Sequence, residues 1–170
     1  MNEPPGDRSG KRRDVLLTFA VAVTPARDAA DLDFRRRMLA ATLASLFAQT
    51  DGAFRVMIAC DTPAVIDFPP DPRLEIVAFR SRSRKSRRGA HRDQAARMFA
   101  MARRMAARGG GYFMPVDMDD FVSRDLVAFV RAHPDPNGYI IEKGYALDGV
   151  SNRAAPIYDV GAPAGPFHKA

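Results

Sequence analysis

Tryptophan is absent from this 170-residue chain, and cysteine occurs once. A single thiol excludes an intrachain disulfide framework. Cys60 closes the apolar stretch Val56-Met57-Ile58-Ala59-Cys60, where a small, buried, inert thiol is expected. No apolar run approaches the ~18 residues that a membrane-spanning helix needs. The opening stretch, Met1 to Arg13, is polar, holds two prolines and has no signal-peptide core. A cytoplasmic setting is the resulting expectation. Histidine is scarce as well. His91, His133 and His168 stand singly, without the spacing of metal ligands. A phosphate-binding Walker loop and a Gly-x-Ser-x-Gly elbow are both missing. Gly109-Gly110-Gly111 leads into an apolar, strand-like run, so it reads as a helix stop rather than a phosphate cradle.

What is present is a globular mixture, 46% hydrophobic and 27% charged, with a net charge of +6. That balance points to anionic partners such as nucleotides, nucleic acid or acidic membrane surfaces. Residues 1–13 read as a disordered basic lead-in. Val15 to Val23 is almost continuously apolar and is closed by Thr24-Pro25, the pattern of a strand covered on both faces. Phe34, Met38, Leu39, Leu43, Leu46 and Phe47 then recur at helical spacing, with Arg35, Arg36 and Arg37 on or beside the polar flank. Further strands are predicted over 54–59, 74–79 and 112–116. A second helix is predicted with Ala95, Met98, Phe99, Ala102, Met105 and Ala106 inward. Ser123 is expected to cap a short third helix. Tyr139 to Leu147 reads as a fifth strand and 151–170 as an irregular tail. Strands alternating with helices imply an α/β domain over 14–150, a mainly parallel sheet with helices on both faces. Pro115 is awkward there, because it lacks the N–H that a central strand position uses.

The most informative stretch is Tyr112-Phe113-Met114-Pro115-Val116-Asp117-Met118-Asp119-Asp120. An apolar run ends abruptly in three carboxylates. Like charges this close repel, and desolvating them is costly unless something positive sits among them. A hard divalent cation takes carboxylate oxygens. A strand ending here would put the acids at its carboxyl end, where open α/β sheets collect ligands. The plain alternative is a solvated acidic loop that favours the start of the following helix through its dipole. A haloacid-dehalogenase-like reading of Asp117-Met118-Asp119 would want the motif on the first strand. An EF-hand loop is excluded, since the later glycine and terminal glutamate are missing.

Arg80, Arg82, Arg84, Lys85, Arg87, Arg88 and Arg92 form a basic run. A solvated loop explains it, and so does contact with a diphosphate, with anionic lipid or with nucleic acid. Aromatic residues do not interleave with it, which disfavours base stacking and hence nucleic acid.

The order of elements resembles the nucleotide-diphospho-sugar transferases of GT-A fold, in particular inverting glycosyltransferases of the family 2 type. Leu43-Ala44-Ser45-Leu46-Phe47-Ala48-Gln49-Thr50 is similar to the "tLxSLxxQt" end of the family's first helix. Phe54 to Asp61 is similar to its second strand, which ends in an acid. Phe113 to Asp120 looks like its "DxDD" motif. Phe34-Arg35-Arg36-Arg37 is similar to rhamnosyltransferase-like members. The resemblance covers roughly residues 15 to 147 and implies a three-layer GT-A-like sandwich.

By that resemblance Asp61 lies near the nucleotide base. Asp117 contacts the ribose or helps hold a metal, Asp119 is the main metal ligand, and Asp120 is its substitute or outer partner. Arg92 contacts the nucleotide. The cofactor is Mn²⁺ or Mg²⁺, bridging the diphosphate of a nucleotide-sugar donor. The acceptor is unassigned; a glycan or a lipid-linked sugar fits, the latter with peripheral association at the inner face of a membrane. Two departures stand out. Cys60-Asp61-Thr62 replaces the commoner Asp-Asp-Gly-Ser. Little chain follows Asp120, so the acceptor half, which holds the family's catalytic base, is short or missing, and no base is assigned. A reading from a different class remains beside this one: a non-catalytic anion-binding module that docks nucleic acid or anionic membrane through Arg80–Arg92.

Overall fold

A computed structural model describes residues 15–61, 63, 66–80, 87–148, 151, 153–158 and 168–169. The chain divides into two compact units, Met1–Arg131 and Ala132–Ala170. The expected lead-in over 1–13 and the middle of the basic run, 81–86, lie outside the described residues.

The first unit is an α/β sheet domain. Its elements are β1 (Leu17–Val23), α1 (Ala29–Phe47), β2 (Phe54–Cys60), β3 (Leu74–Ala78), α2 (Arg87–Ala106), β4 (Tyr112–Val116) and α3 (Leu126–Ala132). The four strands are all parallel, in the order β3-β2-β1-β4. The chain steps outward from β1 through β2 to β3, then returns to the far side of β1. That reversal, between β1 and β4, is where ligands of open α/β sheets settle, beyond the strands' carboxyl ends.

β1 and β2 are apolar at nearly every position because both faces are covered. Ala20, Met57 and Ala59 face α2 and pack with Met101. The alternate residues Phe19 and Phe54 meet edge to face, and Phe47 of α1 meets Phe54 in the same way. Leu39, Leu43 and Leu46 of α1 are fully buried on that side. Asp28 caps α1: its Oδ1 accepts from the Asp31 N–H at 2.8 Å, and Asp31 Oδ2 accepts from the Arg27 N–H at 2.8 Å.

Pro115 resolves itself through topology. Among the described residues β4 is an edge strand. Tyr112 N–H donates to the Leu16 carbonyl just ahead of β1, so alternation aims the missing N–H of Pro115 away from β1, at the open edge.

Several expectations need correction. The inner face of α2 keeps Met98 and Met105 of the predicted set against the core but is shifted from the rest of it. Asp93, Arg97 and Met101 are buried, while Ala95 and Ala106 are exposed and Phe99 is 66% exposed. The reason is that the Arg97 guanidinium finds a full set of partners inside, so its burial cost is offset. Phe34 of α1 is half exposed. Ser123 stands one turn ahead of α3: its Oγ accepts from Asp125 N–H at 3.5 Å and its carbonyl from Leu126 N–H at 3.2 Å, while Asp125 is the residue before the first helical one and its carbonyl accepts from Phe129 N–H.

Among the described residues, the strands of the second unit pair with one another. The expected fifth strand is divided into β5 (Tyr139–Ile140) and β6 (Lys143–Asp148). β6 forms an antiparallel hairpin with β7 (Arg153–Tyr158), and β5 pairs antiparallel with β8 (His168–Lys169). The stretch expected to be an irregular tail therefore supplies β7 and β8.

Gly111 joins the helix stop to β4. It has φ +110°, and a Cβ there would lie 2.9 Å from the Leu16 carbonyl oxygen and 3.0 Å from that of Val15. Gly110, at φ +79°, has open space around it. Gly111→Ala is therefore expected to cost about 1–3 kcal/mol, and more than Gly110→Ala. Urea unfolding of the two variants measures the difference.

Candidate functional site

The ends of β1, β2 and β4 bring three groups to one edge of the sheet. β2 ends at Cys60, and Asp61 follows. β1 ends at Val23, and Thr24 follows. β4 ends at Val116, and Asp117 follows. Because β1 lies between the other two, Asp61 and the Asp117–Asp120 turn flank it. A cavity of about 270 Å³ opens beside β1 and β2, lined by Thr24, Asp28, Leu32, Cys60 and Asp61 among others. Asp117, Asp119 and Asp120 are not part of that lining and are exposed residues.

One turn of α2, from Gln94 to Arg97, reaches both sides. Arg97 is completely buried and donates to Asp61 Oδ2, to Asp93 Oδ2 at 3.0 Å and to the Ala59 carbonyl at 3.3 Å. Its guanidinium lies over the Phe79 ring, 4.6 Å from the centroid. Gln94 Nε2 donates to Asp117 Oδ1 at 3.4 Å. One helical turn thus holds the acid after β2 and touches the acid after β4.

The acidic turn is held by α1. Thr42 and Ser45 of α1 and Gln49 just beyond its end supply the contacts. Thr42 Oγ1 donates to the Met118 carbonyl at 3.0 Å, and Ser45 Oγ accepts from Val122 N–H at 3.3 Å. Gln49 donates to the Ser123 carbonyl at 2.8 Å and accepts from Val127 N–H at 3.0 Å. Thr50 N–H donates to the Arg124 carbonyl at 2.9 Å. These bonds serve backbone groups that have no ladder or helix partner, and they explain the polar residues of the Leu43–Thr50 motif. Arg35 links the two loops: it donates to the Thr24 carbonyl at 3.1 Å and Oγ1 at 2.8 Å, and approaches Met118 Sδ at 3.8 Å.

Electrostatics distinguish the groups. Although Asp120 is an exposed residue, partial desolvation of its carboxyl, then the charges of Asp117 and Asp119, push it above its ordinary value of 3.8. Burial pushes the Cys60 thiol up; the Arg97 charge opposes that and the Asp61 charge adds to it. The thiol is consequently a poor nucleophile.

The sequence-predicted site residues are therefore at one sheet edge but not in one cluster. Asp61 lies in the cavity wall; Asp117, Asp119 and Asp120 lie across β1. Arg92 is exposed on the first turns of α2, and Arg80 is exposed after β3. Among the described residues, no three His, Cys, Asp or Glu side chains converge as a closed metal-holding group. The carboxylates suit a hard cation in chemistry, and an Mg²⁺-type site needs just one or two of them, with ligand phosphates and water completing the shell. The expectations missed Arg97, Asp93 and Thr42, and gave no contacts to Ser45 and Gln49 of the Leu43–Thr50 motif. The signal for the first was an Asp–Arg pair spaced i,i+4 in line with Met101.

No family model matches the chain, and no curated protein matches it.

Two outcomes follow from this geometry. Arg97→Met leaves Asp61 and Asp93 without their buried cation and is expected to cost about 3–5 kcal/mol, read from denaturant midpoints. Asp120 is different in sign. Its raised value means that its charge costs the fold above that value, and the cost vanishes as pH falls below the ordinary 3.8. Asp120→Asn should stabilise the protein at neutral pH by about 0.5 kcal/mol, with no gain in acid. Thermal melts across pH check both limits.

Proposed function

We propose that the carboxyl edge of this sheet binds a nucleotide-sugar together with a divalent cation, Mn²⁺ or Mg²⁺. The observation that carries the reading is the placement of Asp61 and the Asp117–Asp120 turn on either side of β1, bridged by one turn of α2. Ligands of open α/β sheets occupy that position. The resemblance of the Leu43–Thr50, Phe54–Asp61 and Phe113–Asp120 segments to family 2 glycosyltransferases supports the same assignment.

In this reading the cavity beside Asp61 takes the nucleoside, and the acidic turn faces the diphosphate. Asp119 and Asp117 hold the cation, with Asp120 as a further carboxylate beside them. When bound, the cation neutralises charge on the diphosphate. Gln94 orients the Asp117 carboxyl. Exposed Arg92 adds positive charge at the start of α2, where a phosphate is favoured. The reaction class is sugar transfer with inversion, in which an acceptor hydroxyl displaces the nucleoside diphosphate.

Titration with nucleotide-sugars, with and without Mn²⁺, tests the reading. Binding to the wild type should depend on Mn²⁺. Asp119→Ala should abolish that dependence while the melting temperature stays level or rises slightly, since a repelling carboxylate is gone. Equal Mn²⁺-dependent affinity in the two proteins would sink the assignment of Asp119, and no nucleotide binding at all would sink the function.

A further inference from the structure

We infer that Arg97 is a positioning residue that fixes the Asp61 carboxyl against the cavity, so that the Arg97–Asp61 pair governs recognition of the nucleoside and not of the diphosphate. The inference rests on the reading above, that the cavity takes the nucleoside part of the ligand.

A guanidinium with no exposed surface is costly unless every edge is used. Here three of its nitrogens are used, and each donates to a different element: Nε to Asp93 on α2 itself, one terminal nitrogen to the Ala59 carbonyl in β2, the other to Asp61 just beyond β2. The Phe79 ring, immediately after β3, supports its face. The fork is planar and rigid, so these contacts leave it one orientation. Asp61 inherits that orientation. Its backbone follows directly from the last residue of β2, and its side chain is 15% exposed at the cavity wall. An acceptor held in this way has lost its conformational freedom before a ligand arrives, and that is the source of selectivity for a hydrogen-bond donor.

The bland reading is that Arg97 merely neutralises two buried acids. It predicts that a change at Arg97 affects stability, or loosens the whole edge, without choosing between parts of the ligand. The positioning reading predicts a localised effect. Arg97→Lys keeps the charge but replaces the fork with a point donor that cannot serve Asp61, Asp93 and Ala59 together. Asp117, Asp119 and Asp120 have no bond to Arg97 among the described contacts, so the acidic turn should be indifferent.

The test is a binding cycle on the full chain, with UDP, dTDP, GDP and ADP as probes in Mn²⁺ and with pyrophosphate in Mn²⁺ as the control. Arg97→Lys is expected to weaken the preferred nucleoside diphosphate about tenfold and to leave pyrophosphate affinity unchanged. In an Asp61→Asn background the same substitution should have no further effect on nucleotide affinity, because Arg97 acts through Asp61. Unchanged nucleotide affinity in Arg97→Lys overturns the inference. So does a parallel loss for nucleotide and pyrophosphate, or an additive loss in the double variant. If Arg97→Lys does not fold, Phe79→Leu removes just the ring beneath the guanidinium and should give the same pattern with a smaller loss. A wild type that binds none of the nucleotides overturns the functional reading and this inference with it, and is distinguished by needing no variant at all.

Discussion

A single buried guanidinium organises the carboxyl edge of the sheet. Arg97 sits where β2, the loop after β3 and α2 meet, and each of them supplies it with a partner. Burying that charge unpaired would be prohibitive, so the three elements are obliged to meet in one arrangement. The rotation of α2 follows. With Arg97 inward, Met101 lies one turn below it against Ala20, Met57 and Ala59, and Phe99 is turned to solvent. The cavity wall follows too, because Asp61 cannot leave Arg97 without stranding a charge.

The other flank of the edge uses a different device. α1 holds the acidic turn through the backbone, with neutral side chains. Thr42, Ser45 and Gln49 grip backbone groups on both sides of Asp119 and Asp120, at Met118, Val122, Ser123 and Val127. One flank is therefore set by a charge buried in the core and the other by a row of amide and hydroxyl bonds. Arg35 touches both loops, at Thr24 and at Met118, so the two flanks share a frame.

Much of the sheet was legible because its strands are apolar on both faces and end in abrupt polar signals: Thr24-Pro25, Asp61 and Asp117. The same pattern places the acids at one edge, the strands' carboxyl ends. The face of α2 was legible in part, at Met98 and Met105; Arg97 was not, since an arginine inside an apolar stripe is usually read as an exposed residue, and only its three partners justify its burial. Those partners come from distant segments. The second unit was misread for a related reason. Tyr139 to Leu147 has strand-forming residues, but pairing partners are chosen by chain segments beyond it, Arg153 to Tyr158 and His168-Lys169. Propensity identifies a strand without naming its neighbour. The acidic turn was visible as charge, whereas its distance from the cavity depends on the width of β1, which no local motif encodes.

Pro115 has a consequence for behaviour at high concentration. An open parallel strand invites another chain to extend the sheet, and Ile and Val side chains along it would strengthen the union. At the β4 border the outward donor at position 115 does not exist, and the positive-φ glycines just before the strand bend the approach to it. At the opposite border Glu75 of β3 is surrounded by Arg55, Arg104 and Arg108, a set of charges that an incoming strand would have to desolvate. Among the described residues, the parallel sheet thus carries a chemical obstacle to strand addition at each margin.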